Sequence, residues 1–286
     1  MNILSVQSWV AYGHVGNAAA AFVLQRLGDE AWVVNTVHFS NHTGYGHFTG
    51  ERATAAQLAA LFGGIEALGA WTRCDGVLSG YLGSAAAGEE LLAALGRIRR
   101  ANPALHYCCD PVLGERGRGL FVPADCAAFF RDRALAQADL LTPNHFELEW
   151  LAGVPVATLA AARRAGRLLA ARMREGGPAS VLATGLLLED TPAGAIDMLL
   201  MEGDAAWLLR TPRLALAAHG AGDVLAALWC HHRLAGAAPP AALEAAGSAL
   251  FGLLRRTAEQ ASPELLLADA QEELVRPSRW FHAKKL

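Results

Sequence analysis

The chain has 286 residues, 53% of them hydrophobic, and a formal net charge of −3. That length suits one α/β domain, expected over residues 1–286 because no linker breaks the pattern, and the apolar fraction excludes global disorder. The near-neutral charge leaves no electrostatic footprint for nucleic acid or an acidic membrane surface.

The first ten residues, MNILSVQSWV, carry no basic leader and open directly as a strand, predicted over Asn2–Gln7. A helix follows over Gly16–Leu27 and a second strand over Glu30–Val37, then a polar, glycine-bearing loop from His38 to Gly50. Thr54–Leu68 reads as a helix, Gly76–Ser79 as a short strand, Glu89–Arg100 as a helix and Leu105–Cys109 as a strand ending in Asp110-Pro111. The strand Asp139–Leu141 runs through Thr142-Pro143-Asn144 into a short helix, Phe146–Leu151. A helix within Leu159–Glu175 precedes the strand Ser180–Thr184. Ala195–Met201 and Ala205–Arg210 form a hairpin across Glu202-Gly203-Asp204, and helices Val224–Leu234 and Ala241–Glu259 close the chain.

Strands alternating with helices at this spacing predict a mostly parallel central sheet with helices on both faces. No apolar run is long enough to cross a bilayer, so a soluble cytoplasmic protein is expected. The five cysteines have no CxxC spacing, and the adjacent Cys108 and Cys109 read as buried strand residues, a reducing-compartment pattern. The only lysines are Lys284 and Lys285. This excludes a Walker A loop, which needs GK[ST], and a Schiff-base lysine within the core. No GxGxxG follows the first strand, which argues against a dinucleotide-dependent redox enzyme.

In open sheets of this kind, ligands sit outside the carboxyl ends of the strands. Ser8, Asn41-His42-Thr43, Ser79-Gly80-Tyr81, Asp110, Asn144 with Glu147, and Thr184 all fall at such ends. The stretch HGAGDVLAAL, His219–Leu228, brings a glycine-rich helix start to the same edge. Alone, its acid would only complement the helix dipole. Beside the other residues, Gly220, Ala221 and Gly222 can cradle a phosphoryl group on their N–H groups, with Asp223 placed to take a proton from an attacking hydroxyl. Asp110 and Glu147 suit Mg²⁺, directly or through water. The pair His231-His232 lacks metal-ligand spacing and reads as surface histidines.

Six segments, QSWVAYGHVGN (Gln7–Asn17), NTVHFSNHTGYGHFTG (Asn35–Gly50), VLSGYLGS (Val77–Ser84), CDPVLG (Cys109–Gly114), LLTPNHFELEWL (Leu140–Leu151) and GAGDV (Gly220–Val224), together resemble the pyridoxal kinase family of the ribokinase-like superfamily. The RPSRWFHAKKL tail is similar too. The resemblance implies ATP-dependent phosphorylation of the 5′-hydroxymethyl group of pyridoxal, with pyridoxamine and pyridoxine as further acceptors. It implies Asp223 as base and Gly220–Gly222 as anion hole. Ser8 and Thr43 would hydrogen-bond the ring nitrogen and phenolic oxygen. His42, with Gly44 in the same motif, and Tyr81 would lie against the substrate, and Val15, Val37 and Phe39 would wall it. Asp110, Thr142, Asn144, Glu147 and Thr184 would face the nucleotide phosphates and metal, and the loop of Thr211, Pro212, Arg213 and Leu214 would border ATP. Mg²⁺, K⁺ and a homodimer belong to the same expectation. Three departures fall on the ATP side: Thr184 stands where bacterial members often carry lysine, Thr211 where they tend to carry arginine before proline, and PRLALAAHG (Pro212–Gly220) is short. A hydroxymethylpyrimidine-type kinase and a B6-vitamer binding protein are the alternative readings.

Overall fold

The structure is a computed structural model and describes residues 1–216 and 219–286. Strand β1 (Asn2–Tyr12) leads into helix α1 (Asn17–Arg26) and strand β2 (Glu30–Asn41), after which the short β3 (Gly50–Arg52) turns back along β2. Next come α2 (Ala55–Ala67), β4 (Gly76–Ser79), α3 (Ala85–Ala101) and β5 (His106–Cys109). A two-stranded flap, β6 (Gly114–Glu115) with β7 (Gly119–Leu120), stands apart from the main sheet and is followed by α4 (Ala124–Phe129). Then follow β8 (Leu140–Leu141), α5 (His145–Ala152), α6 (Leu159–Ala170), β9 (Ser180–Leu186), β10 (Ala195–Glu202) and β11 (Ala205–Pro212). Helices α7 (Ala221–Leu234), α8 (Pro239–Glu259) and α9 (Glu272–Val275) precede a last two-residue strand, β12 (Lys284–Lys285).

The main sheet has ten strands in the order β12-β11-β10-β9-β8-β5-β4-β1-β2-β3. The six strands from β9 through β8, β5, β4 and β1 to β2 pair in parallel, and both flanks finish with antiparallel strands. The pleat sorts neighbouring residues to opposite faces: Leu4, Val77, Tyr107, Cys109 and Leu141 join α2, α3 and α5 on one side. Ile3, Leu78, Cys108 and Leu140 join α1, α7 and α8 on the other. Both faces are therefore apolar, as a sheet covered by crossover helices requires. The expected mostly parallel sheet between two helical layers is what forms.

Element boundaries moved where the sheet runs past its core. β1 continues to Tyr12 and β2 to Asn41, so His38–Asn41, expected in a loop, are strand residues. Alternation explains this: Val37 and Phe39 are buried, whereas His38 between them is exposed. The register between β1 and β2 slips between Gln7 and Trp9, whose partners are Asn35 and His38. One extra residue on β2 bends the pair there, and such bulges re-aim side chains beside functional sites. Ser8 and Val37 lie at that bend.

Candidate active site

The polar strand ends converge. Ser8, His42, Thr43, Tyr81, Asp110, Thr142, Asn144, Glu147, Thr184, Gly220, Gly222 and Asp223 line one cavity of about 490 Å³, together with the apolar Val15, Val37 and Phe39. This is within the span of small-molecule sites, ~300–1,000 Å³. Val15, Val37 and Phe39 form a small buried cluster with Val10, so they are core and cavity wall at once.

Two glycines make the geometry possible. Gly16 has φ 55° and ψ −135°, and a side chain there would strike the carbonyl and hydroxyl oxygens of Ser8. Gly220 is the N-cap of α7 at φ 95°, and a Cβ on it would run into the carbonyl oxygen of His14. The β1–α1 turn and the start of α7 therefore touch backbone to backbone, which only glycine permits. The cap places Gly220, Ala221 and Gly222 at the N-terminal end of the helix, where N–H groups lack intrahelical partners. Ala221 is the first helical residue and lies outside the cavity lining.

Asp223 occupies the first turn of α7. Burial raises its carboxyl from 3.8 to about 6, held back by the N–H groups of Gly16 and of Asp223 itself. The Asp110 carboxyl is pushed up to about 7, first by burial and then by the charge of Asp223, while the Thr142 hydroxyl, donating at 2.8 Å, pulls it down. Burial and the neighbouring Asp110 raise Glu147 well above the usual range.

These three carboxylates differ from the other buried acids of the chain. Asp139 meets Arg99 at 3.0 Å and Arg174 at 2.6 Å, Asp197 meets Arg210 at 2.6 Å, and Asp29 meets the amino terminus at 3.0 Å. Among the described residues, Asp110, Glu147 and Asp223 have no basic partner within salt-bridge distance. Three acids raised in one cleft, Asp110 and Glu147 buried and Asp223 half-buried, with no cation among the described residues to pair with them, are the electrostatic mark of a functional site.

Asn144 and Glu147 also serve the fold. They form a capping box on α5, with the Glu147 N–H donating to the Asn144 side chain at 3.0 Å and the Asn144 N–H to Glu147 at 2.8 Å. The second Glu147 oxygen accepts from the Leu113 N–H at 2.9 Å, and the Asn144 amide donates to the Gly114 carbonyl at 2.8 Å. The root of the β6–β7 flap is thus bonded to the two residues expected on the nucleotide side. Thr184 reaches the same region through its N–H, which donates to the Pro143 carbonyl at 2.9 Å.

The other wall is the loop after β2. His42 caps the single 3₁₀ turn Thr43–Tyr45, its Nδ1 accepting from the Gly44 N–H at 3.0 Å. Its ring stacks on His219 at 4.0 Å, and burial with that neighbour lowers its pKa to about 4. His42 is therefore neutral at pH 7 with its proton on Nε2. Gly44 lies under both rings, outside the lining. Glu264 fastens the loop from the C-terminal side, accepting from the Tyr45 hydroxyl and from the His14 N–H at 3.2 Å.

Other expected residues sit elsewhere. Ser79 bonds Tyr107 at 2.8 Å within the core, and the Asn41 amide donates to the carbonyls of His42 and His47, ordering the loop. Thr211 and Pro212 end β11 opposite Ile196 and Ala195, so the expected Thr211–Leu214 loop begins as strand; none of Thr211, Pro212, Arg213 and Leu214 lines the cavity. Of the short Pro212–Gly220 segment, residues 217 and 218 lie outside the described residues. His231 and His232 are half-buried rather than surface residues, because α7 packs on α1 and brings His231 within 2.7 Å of Asp29. The cysteines are all free and buried. Sequence reasoning missed Val10, Phe48, Arg52, Val112, Gly114, Glu115, Arg118, Phe121 and His219, which also line the cavity. A signal was available for the flap: GERGRGL places two glycines about an arginine between apolar runs, and Gly117 and Gly119 take φ 83° and 78° in its turn.

Comparison with known proteins agrees with this fold. The family described as phosphomethylpyrimidine kinase matches residues 47–262. Pyridoxal kinase PdxY of Granulibacter bethesdensis is 52% identical over 284 residues, 99% of either chain, and that of Deinococcus radiodurans is 48% identical over 287 residues, 100% of this chain and 96% of the relative. The structure of pyridoxal kinase from Leishmania donovani in complex with ADP and pyridoxamine superimposes with a TM-score of 0.91 at 29% identity, covering 100% of this chain and 99% of that one. With the cavity, the acid cluster and the glycine-rich helix start in the same fold, the chain belongs to the pyridoxal kinase family, within the broader phosphomethylpyrimidine kinase family.

Proposed function

We propose that this protein, as one kinase domain over residues 1–286, transfers the γ-phosphoryl group of ATP to the 5′-hydroxymethyl oxygen of pyridoxal. The observation that carries the reading is the cavity itself: a half-buried carboxylate of raised pKa in the first turn of α7, at a helix start whose backbone only glycine can form, in one cavity with the apolar Val15, Val37 and Phe39. The full-length relatives named pyridoxal kinase and the Leishmania kinase, which holds ADP and pyridoxamine, support the substrate pair.

Each part of the cavity then has a task. Val15, Val37 and Phe39 sandwich an aromatic ring, and burying such a ring is the main attraction. Ser8 and Thr43 hydrogen-bond its nitrogen and phenolic oxygen, with His42 and Tyr81 against its face. Tyr81 is fixed in place because the Thr36 hydroxyl donates to its carbonyl at 2.6 Å. Asp223 takes the hydroxyl proton as the oxygen attacks phosphorus. Its raised pKa keeps it mostly ionised at pH 7 yet basic enough to accept that proton. The N–H groups of Gly220–Gly222 stabilise the charge on the transferring group. Thr142, Asn144 and Thr184 face the nucleotide.

The acid pair fits a divalent cation. Among the described residues, one Asp110 oxygen accepts from Thr142 and the other has no hydrogen-bond partner, while both Glu147 oxygens already take backbone N–H groups, so Glu147 suits a water-mediated contact. No group of three or more metal-ligating side chains gathers among the described residues. Phosphate oxygens and water would complete the shell of Mg²⁺, which keeps several waters. When bound, the ion would neutralise phosphate charge. A homodimer, K⁺ assistance and a cytoplasmic location rest on the family resemblance. No described helix is long and apolar enough to cross a membrane.

The broader family description keeps a hydroxymethylpyrimidine acceptor as the second reading, since that substrate also carries a hydroxymethyl on a heteroaromatic ring. Incubation with MgATP and each acceptor separates them: phosphorylation of pyridoxal at higher kcat/KM is expected, and preference for the pyrimidine rejects the first reading. Tight pyridoxal binding with no ATP turnover selects a vitamer-binding protein.

A further inference from the structure

The charges around the cavity do not balance. Its described lining carries four carboxylates, Asp110, Glu115, Glu147 and Asp223, against two guanidiniums, Arg52 and Arg118. A triphosphate would add more negative charge to this surplus. Lysine cannot help, because the only two lie on β12 at the far edge of the sheet. Arg52 sits at the substrate end, with its guanidinium 5.9 Å from the centre of the Phe39 ring.

Arg118 is differently placed. It is on the turn of the β6–β7 flap, whose root is tied to Glu147 through Leu113 and to Asn144 through Gly114. The flap therefore rises directly from the phosphate-facing residues. Its neighbour Arg116 is engaged elsewhere, donating to the Leu187 carbonyl at 3.2 Å, and does not line the cavity. Among the described residues, Arg118 makes one ion pair, at 3.5 Å with Glu115, both half exposed, and sits 5.7 Å from the centre of the Phe121 ring. An exposed pair of that kind holds a side chain weakly. Arg118 and His42 line the same cavity, and the charge of Arg118 helps to lower the His42 pKa.

We infer that Arg118 is the flap cation that contacts the terminal phosphates of ATP and stabilises the phosphoryl group in transfer. The inference rests on the kinase reading above. In the step it serves, the acceptor oxygen bonds to the γ-phosphorus as the bond from that phosphorus to the bridging oxygen breaks. ADP leaves with the bonding electron pair, the hydroxyl proton passes to Asp223, and Arg118 stays protonated throughout. A planar guanidinium can bind two phosphate oxygens at once, which suits this task.

The test uses the full chain and the variants Arg118→Ala and Arg118→Lys. Affinity is measured for a non-hydrolysable ATP analogue and for adenosine, alongside the kinetics with pyridoxal. R118A should bind the analogue about tenfold more weakly and adenosine unchanged, with kcat/KM for ATP reduced at least as much. The KM for pyridoxal should hold, R118K should recover part of the loss, and added guanidinium should partly rescue R118A. Unchanged analogue affinity, or equal weakening for analogue and adenosine, overturns the role of Arg118. A wild-type protein that transfers nothing to pyridoxal overturns the parent reading instead, and the binding comparison still decides Arg118.

Discussion

Replacing Asp223 by Asn keeps the shape of the side chain and removes both the base and a half-buried charge. Base catalysis of this type is worth about a hundred- to ten-thousand-fold, so kcat should fall by that factor. Stability should move the other way. The folded carboxyl is held at about 6 against an ordinary 3.8, a gap of about two pH units, or about 3 kcal/mol at full burial. Because the side chain opens onto a wet cavity, about half of that is expected. The sign follows from the raised value: the folded state binds the proton more tightly than the unfolded chain, so stability from this group is fully present below about 3.8 and is lost as pH rises from there through about 6. The variant should therefore melt a few degrees above wild type at pH 8, by about 2–4 °C per kcal/mol, and the gap should narrow by about half toward pH 5. Melting curves at the two pH values, with turnover of pyridoxal and ATP at pH 8, read all three effects. Undiminished turnover would refute the role of Asp223, and a Tm difference independent of pH would refute the electrostatic origin of its pKa.

Other substitutions separate site from scaffold. Gly220→Ala forces a Cβ onto the His14 carbonyl in a left-handed backbone, and should cost about 1–3 kcal/mol with a large loss of kcat, read by melting and turnover. Asp139→Asn leaves Arg99 and Arg174 without their shared acid, so stability should drop by about 3 kcal/mol in urea unfolding while KM values hold. Glu264→Gln weakens the hold on Tyr45 and the His14 N–H; the KM for pyridoxal should rise several-fold with kcat within about twofold. Thr184→Lys adds a cation on the phosphate side and should lower the KM for ATP by up to about tenfold; an unchanged KM would remove Thr184 from the nucleotide contacts.

Much of the site was legible because the carboxyl edge of such a sheet is where ligands bind: Asp110 follows β5 directly, Glu147 and Asp223 sit in the first turns of α5 and α7, and Ser8 lies within β1 at its bulge with β2. The parallel core was legible for a related reason: strands buried on both faces read as plain apolar runs. What sequence missed was structure that no hydrophobic pattern encodes. The β6–β7 flap has two residues per strand and no core face, so only its glycines mark it. The extension of β2 beyond Val37 alternates in the manner of a half-exposed strand, but its polar residues suggested a loop. The Asn144–Glu147 capping box was written in the NxxE spacing, yet the functional reading of both residues concealed it. Arg118 and His219 stand in segments that the glycines mark, yet their place in the cavity lining is a matter of proximity that the sequence does not state.

The central claim is that the cavity beside Asp223 phosphorylates a B6 vitamer. Its most direct measurement follows the terminal phosphoryl of labelled ATP in the presence of equal concentrations of pyridoxal and hydroxymethylpyrimidine. The expected result is label on the 5′-oxygen of pyridoxal, in an amount matching the ADP formed, and produced at least about a hundredfold more slowly by Asp223→Asn. Label appearing mainly on the pyrimidine, or ATP consumption without any pyridoxal 5′-phosphate, would contradict it.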